Sequence, residues 1–502
     1  MASRIITLLA VVSTLCLSSC EKGYGAQFLA SKAMAEQTGV IDAVQGFSII
    51  DIRLVRSDGA IMDLTDRPLP IRLNLALNFS RGLSAEEKAQ FERDFLLLDD
   101  ETSPVSGRME WSADSTELTF TPADDLDFGR TYTISHIRPV GIETSFKTMT
   151  CGDINGDGLI DFVVGAPGAS NGMGKAYVYS GGKMPAPPLA EIAGYSEGVR
   201  MGTWVAAAGD VNGDGYADIL VTEGDNRGHA HAALIFSGRS LARGAREIVS
   251  GARQPMPISP SVAVIRESKG VEVITGDPSF DSSRGKISIK RGSGELLAEM
   301  NGVSDADEYG AAVSPAGDVN GDGIADFAVG APGALADTGA AYVYSGADLS
   351  GRPLVMRIAD AAGDGLGSAV GGAGDLNGDG RDDVIAGAPE ASEGRGVVHV
   401  FSGADISGSP LIRKTGERSD DAFGSAVAGV GDINGDSIPD ILIGAPNRAD
   451  GEKSMVGAVY VYSDTDRFSE PLMVLSGKSA SENFGFSVAS ACQDPAKLGG
   501  SR

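Results

Sequence analysis

The chain has 502 residues, more than one compact domain usually holds, with 69 glycines, few aromatics and a formal net charge of −27 at pH 7. Ordinary hydrophobic content with so much glycine suits an all-β fold of short strands and tight turns, and argues against a helical bundle. The charge excludes a nucleic-acid binder, which needs a basic footprint, and fits a soluble surface that attracts cations.

The N-terminus reads MASRIITLLAVVSTLCLSSCEKG, in which Arg4 precedes an apolar stretch of about 13 residues. That stretch is too short to span a bilayer, and nothing later in the chain is long and apolar enough to do so. It ends in Leu17-Ser18-Ser19-Cys20, which resembles the lipobox of bacterial lipoproteins. The resemblance implies a signal peptide over residues 1–19, cleavage before Cys20 and a lipid on Cys20. The mature protein would then be lipid-anchored and extracytoplasmic; Glu21 after the lipid site leaves inner and outer membrane both open, with the outer membrane or cell surface favoured. Residues 20–45 read as a tether with a short helix around residues 28–37.

From residue 46 to 150 the chain alternates in strand-like runs: SIIDIRLV, IRLNLALNFS, ELTFTPA, TYTISHI and TSFKTMT. A single helical stretch, SAEEKAQFERDF, interrupts them. The segment MEWSADSTELTFTPADDLDFGRTYTISH resembles bacterial Ig-like domains, implying a small β-sandwich that acts as a spacer.

From Cys151 a repeat takes over. Acidic loops begin at Asp153, Asp210, Asp318, Asp375 and Asp432, separated by 57, 108, 57 and 57 positions. The long interval is two periods of 54, so a degenerate unit lies near residue 261, where SVAVIRESKGVEVITGDP keeps the strand rhythm without the loop. Each unit offers four short strands, the composition of a propeller blade. Phe423-Gly424, Phe484-Gly485 and the Gly-Ala-Pro triplets at 165–167, 330–332, 387–389 and 444–446 resemble the FG-GAP repeats of the integrin α-chain propeller. The second unit departs from that pattern with VTEGD.

Each loop sets polar side chains at positions 1, 3, 5 and 9, with a backbone carbonyl available at position 7. The candidate ligands are Asp153, Asn155, Asp157, Leu159 and Asp161, then Asp210, Asn212, Asp214, Tyr216 and Asp218. The later loops supply Asp318, Asn320, Asp322, Ile324 and Asp326, Asp375, Asn377, Asp379, Arg381 and Asp383, and Asp432, Asn434, Asp436, Ile438 and Asp440. Hard divalent cations take six to eight oxygens, and the absence of His and Cys favours Ca²⁺, about five ions in all. Two carboxylates about 4 Å apart repel by roughly 4 kcal/mol at an effective dielectric of 20, so a cation would make each turn favourable. The fifth loop has Ser437 where the others have glycine.

Other sites are weaker. The four histidines, His136, His229, His231 and His399, form no catalytic pattern, although His229 and His231 share a strand face. The tyrosine pairs 177/179, 342/344 and 460/462 fit packing between blades, and the acidic pairs Asp382-Asp383 and Asp420-Asp421 read as solvated surface apart from the metal role of Asp383. Trp111 and Trp204, the only tryptophans, do not make an aromatic lectin surface.

The first unit enters directly at its loop and lacks a first strand, while the chain ends with an orphan strand, FGFSVASAC. Laid into the first blade, that strand aligns Gln493 with Asp153 and brings Cys492 close to Cys151. The expectation is a six-bladed β-propeller over residues 151–495, closed by its C-terminal strand and a Cys151–Cys492 disulfide, with residues 496–502 as a tail. Resemblance to integrin-type propellers implies adhesion to an extracellular protein or glycan and no enzymatic activity. The rivals are a Ca²⁺-dependent polysaccharide-acting enzyme, for which Arg381 is the one basic residue beside a loop, and a scaffold without ligand.

Overall fold

The computed structural model describes residues 49–56, 61–62, 73–79, 81–98, 104–123, 131–136, 142–147, 152–182, 187–212, 216–224, 230–245, 248–252, 261–267, 270–291, 295–405, 408–436, 438–463 and 469–492. Residues 1–45, expected to hold a signal segment and tether, residues 496–502, Cys20 and Cys151 lie outside them. The chain divides into two compact units, the first within residues 1–150 and the second within 151–502. All sheet pairings named below are antiparallel.

In the first unit, five strands run in the order Ile61–Met62, Ile49–Arg56, Leu73–Phe79, Glu117–Pro122 and Gly107–Trp111. A second sheet orders Phe95–Leu98, Thr131–His136 and Ile142–Lys147. Between Leu73–Phe79 and Phe95–Leu98 stands helix α1, Ala85–Asp94. Ser84 caps it by accepting from Glu87 N, while the Glu87 carboxylate accepts from Ser84 N, so two of the helix's orphan N–H groups are satisfied. The core is aromatic: Phe91 packs edge-on to Phe79 at 5.1 Å, and Phe95 of the smaller sheet meets Phe120 of the larger at 5.4 Å. The hairpin Gly107–Trp111/Glu117–Pro122 turns on Asp114, whose carboxylate accepts from Ser112 Oγ, Thr116 N and Thr116 Oγ1.

The second unit contains, among the described residues, six four-stranded sheets. Five follow chain order: Val205–Gly209, Asp218–Gly224, Ala230–Phe236, Ile248–Ala252; Ser261–Glu267, Gly270–Asp277, Lys286–Arg291, Leu296–Asn301; Ala312–Gly317, Asp326–Ala331, Ala340–Tyr344, Val355–Ile358; Ala369–Gly374, Asp383–Ala388, Val397–Phe401, Ile412–Thr415; and Ala426–Gly431, Asp440–Ala445, Ala458–Ser463, Met473–Ser476. The remaining sheet, first in the chain, orders Ala190–Ala193, Lys175–Tyr179, Phe162–Ala166 and then Ser487–Ser490 from the C-terminus. Its closing register pairs Ser487 with Gly165 and Ser490 with Phe162.

First strands of successive sheets pack on one another. Ala312–Gly317 contacts Ala369–Gly374, which contacts Ala426–Gly431, which contacts Ser487–Ser490. In the first, fourth, fifth and sixth sheets the second strands are buried on both faces, as Phe162, Val163 and Val164 are at 0% exposure, which accounts for their apolar sequence. In the third sheet Glu267 pairs directly with Gly270, so only residues 268 and 269 connect its first two strands. That short connection replaces an acidic loop.

The recurring glycines sit where sheets touch. Gly310, Gly367, Gly424 and Gly485 each donate their N–H to the carbonyl of a Gly-Ala-Pro glycine, at Gly330, Gly387, Gly444 and Gly165 respectively. In turn the carbonyls of Gly367, Gly424 and Gly485 lie against Gly330, Gly387 and Gly444, so closely that a Cβ there would stand 1.9–2.1 Å from the oxygen. The contact Gly444–Gly485–Gly165 between the last sheet and the first repeats the contacts inside the series. In the second sheet Thr222 occupies the glycine position, and its carbonyl accepts from Gly202 N.

Candidate metal-binding loops

Each loop is built around two buried or half-buried aspartates with different tasks. In the first, Asp153 Oδ1 accepts from Gly156 N and Asp157 N, and Oδ2 from Gly158 N at 2.9 Å. Glycine at position 4, with φ +82° at Gly156, allows the chain to curl around that carboxylate. The pattern recurs at Asp318, which accepts from Gly321, Asp322 and Gly323, and at Asp375 and Asp432.

The aspartate at position 9 joins the loop to the sheet. Asp161, Asp218, Asp326, Asp383 and Asp440 are all 0% exposed. One oxygen accepts from the N–H at position 2, as Asp326 does from Val319 at 3.0 Å. The other accepts from the glycine that ends the third strand: Gly181, Gly238, Gly346 and Gly403 at 3.0–3.1 Å. Burial pushes Asp326, Asp383 and Asp440 up to about 7, and the like charge of positions 1 and 5 adds to the shift. Asp161 is raised well above the usual carboxylate range, again by burial first.

One participant was absent from the sequence reading. Ser180, Ser345, Ser402 and Ser463, at the end of the third strand, donate their hydroxyls to the position-5 carboxylates Asp157, Asp322, Asp379 and Asp436. The recurring aromatic-Ser-Gly in VYSGG, VYSGA and VFSGA is the signal that identifies them.

The donor chemistry fits a hard cation: every side-chain donor is oxygen, and the three carboxylates of a loop repel one another's negative charge. The described conformation nevertheless gathers no group of three or more His, Cys, Asp or Glu able to hold a metal, among the described residues. Position 1 faces its own backbone N–H groups, position 5 faces the serine and position 9 faces the strand ends. Asp214 and Ser437 lie outside the described residues.

The remaining candidates resolve as packing where their side chains are described. His399 is buried, stacks on Phe401 at 5.8 Å and is pushed down by burial. The tyrosine pairs pack against the aromatic that opens their own sheet, Tyr177 on Phe484, Tyr342 on Tyr309 and Tyr460 on Phe423. Two acidic pairs differ from expectation: Asp421 is buried, and Asp382 reaches across to accept from Asp318 N at 2.8 Å. Asp382 thus joins the fifth sheet to the fourth rather than lying on a solvated surface. Cys492 is buried and disulfide-bonded, and its backbone abuts Gly152. No described helix is long and apolar enough to cross a membrane.

Residues 309–344, 366–401 and 423–462 match the FG-GAP repeat, and residues 153–221 match an FG-GAP-like repeat. Among curated proteins the chain is similar to integrin alpha-PS5 of Drosophila melanogaster, 31% identical over 205 residues covering 38% of this chain and 19% of that protein. It is also similar to integrin alpha-6 of Gallus gallus, 38% identical over 124 residues (23% and 11%), and to integrin alpha-V of Gallus gallus, 27% over 251 residues (48% and 20%). The chain thus spans about a fifth or less of the length of these relatives. A solved structure described as the Dos1 propeller aligns over 70% of both chains at 9% identity and a TM-score of 0.29, too low to carry an argument. Over the matched part of its length the chain carries FG-GAP repeats and is similar to integrin alpha chains.

Proposed function

We propose that the second unit is a six-bladed β-propeller, closed by Ser487–Ser490, that presents a binding surface for adhesion to an extracellular protein or glycan. The observation that carries this reading is the glycine contact Gly444–Gly485–Gly165, which joins the last sheet to the first in the way the intervening sheets are joined. A ring whose last blade is joined to its first is a rigid platform whose loops are available for recognition. Similarity to integrin alpha chains supports binding over catalysis.

Five Ca²⁺ ions belong to this reading, held by positions 1, 3, 5 and 9 and the carbonyl at position 7 of each loop. When bound, the ion would neutralise the crowded carboxylates and fix the connection between first and second strands. The chain's own part is to hold position 9 in place through backbone N–H groups and to lend the strand-end serine as a second partner for position 5. Cys151 is the partner of Cys492, since Gly152 lies against the Cys492 backbone. The first unit serves as an Ig-like spacer, and lipid on Cys20 would tether the protein to the envelope.

The test is binding of the purified mature protein to arrays of glycans and extracellular proteins in calcium and in chelator. Calcium-dependent binding to a defined ligand without turnover of it supports the reading. Cleavage of a bound polysaccharide would favour the enzyme, and no binding to any surface the scaffold.

A further inference from the structure

Between the loops of the fourth and fifth sheets lies an open cavity of about 200 Å³, about the size of one sugar ring. Val319 and Leu354 give it apolar wall, while Arg381 and Asp405 give it charge. Arg381 stands at position 7 of its loop, where the other loops have Leu159, Tyr216, Ile324 and Ile438. Its side chain leans toward the preceding loop, where a Cβ on Gly321 would meet Arg381 Nε at 3.2 Å. Among the described residues the guanidinium makes no ion pair or side-chain hydrogen bond, although Asp382 and Asp405 are near in the same seam. Tyr216, its counterpart in the second sheet, instead has Arg239 over its ring.

We propose that this cavity binds a sugar acid, with Arg381 as the fork that takes its carboxylate and Asp405 as an acceptor for its hydroxyls. Six of the seven backbone N–H groups of the lining are already spent: Val319 and Asn320 on Asp326, Leu354 on Val343, Arg381 on Asp379, Gly403 on Asp383 and Ala404 on Ser402. An extended peptide that adds to a sheet edge needs such groups free. What the cavity offers is one planar cationic donor and one carboxylate acceptor on an apolar floor. A ring carrying one carboxylate and several hydroxyls matches that set, because guanidinium and carboxylate pair in two parallel hydrogen bonds. The net charge of −27 opposes a polyanion, so a single acidic residue in an otherwise neutral saccharide is the preferred partner.

This assignment rests on the binding reading above and names its ligand class, but it can fail separately. The experiment measures binding of a glucuronate-terminated oligosaccharide, and of its glucose-terminated counterpart, to the calcium-equilibrated full chain. The acid should bind at least about tenfold more tightly. Arg381→Met keeps the position-7 carbonyl, and with it any role in the loop; it should abolish the preference, whereas Arg381→Lys should retain part of it. Asp405→Ala should weaken the acid severalfold, and an unchanged melting curve in each variant would show that folding is intact. Equal binding of acid and neutral sugar, or an acid preference that survives Arg381→Met, overturns the assignment. So does equal affinity for an acetylated dipeptide with a free C-terminal carboxylate. Adhesion to another ligand, indifferent to Arg381→Met, would overturn this site and leave the binding reading standing.

Discussion

At Gly330 the backbone of the next sheet leaves no room for a side chain, because a Cβ would stand 1.9 Å from the Gly367 carbonyl oxygen. A methyl group there has to push two sheets apart or break the Gly310 N–H bond to the Gly330 carbonyl. Gly371 is a different case: it has ordinary φ, and a Cβ would meet Ile385 Cγ2 at 3.4 Å. Gly330→Ala should therefore cost about 1–3 kcal/mol, as overpacked cores do, and Gly371→Ala much less. Denaturant midpoints measured side by side decide it; equal losses would mean that the repeat glycines are not contact points. Such glycines were visible in the sequence as a motif, but their reason was not, since it depends on a carbonyl 37 residues away. The strand-end serines were hidden for a similar reason. Ser345 follows the third strand, while the Asp322 it bonds lies before the second.

At the scale of the loop, the position-9 carboxylate ties stability to pH. Asp326, Asp383 and Asp440 are pushed up to about 7 by burial, whereas an unfolded aspartate titrates near 3.9. Between these values the folded chain holds protons that the unfolded chain has released. The contribution is thus present below about pH 4 and is lost as pH rises through about 7. Chelated protein should lose stability from pH 5 to 7.5, and Ca²⁺ should raise the melting temperature more at pH 7.5 than at pH 5. A calcium effect independent of pH would refute the coupling. Loop identity gives a second comparison. Asp322→Ala removes one of three carboxylates from the fourth sheet's loop and should lower the Ca²⁺ count by about one ion of the expected five. Glu267→Ala, in the third sheet where a two-residue connection replaces the loop, should leave the count unchanged. Elemental analysis of calcium-equilibrated protein reads both. The spacing of 57 positions located these loops correctly, but the fine geometry was not legible, because Asp, Asn and Gly at those positions serve a hydrogen-bonded turn and a cation equally well.

Across the second unit, the order of strands was readable because the repeat carries its own register, including the odd placement of the final strand on the first sheet. The sequence did not disclose how the junction is held. Glu482 is buried and would be raised by burial, yet Tyr177 Oη, the N–H groups of Lys478 and Ser479 and Ser479 Oγ all donate to it and hold it below the usual range. Lys478 pairs with Glu191 at 2.9 Å, and Ser487 Oγ donates to the Gly202 carbonyl. A chain ending at Ser476 loses these bonds and the ladder from Ser487 to Ser490, and it leaves the edge of Phe162–Ala166 unpaired. An uncovered, fully apolar strand is a template for association, so the shortened protein should self-associate and melt earlier. A synthetic peptide of residues 477–492 should restore the monomer and most of the lost stability, because the register and the Glu482 bonds come with it. The same peptide with Gly485→Val should fail, since a side chain there has to occupy the space of the Ala458 carbonyl, 2.4 Å from the Cβ. Size-exclusion chromatography with and without each peptide makes the comparison. A shortened protein that stays monomeric and melts like the full chain would mean that the C-terminal strand is an ornament rather than part of the sheet.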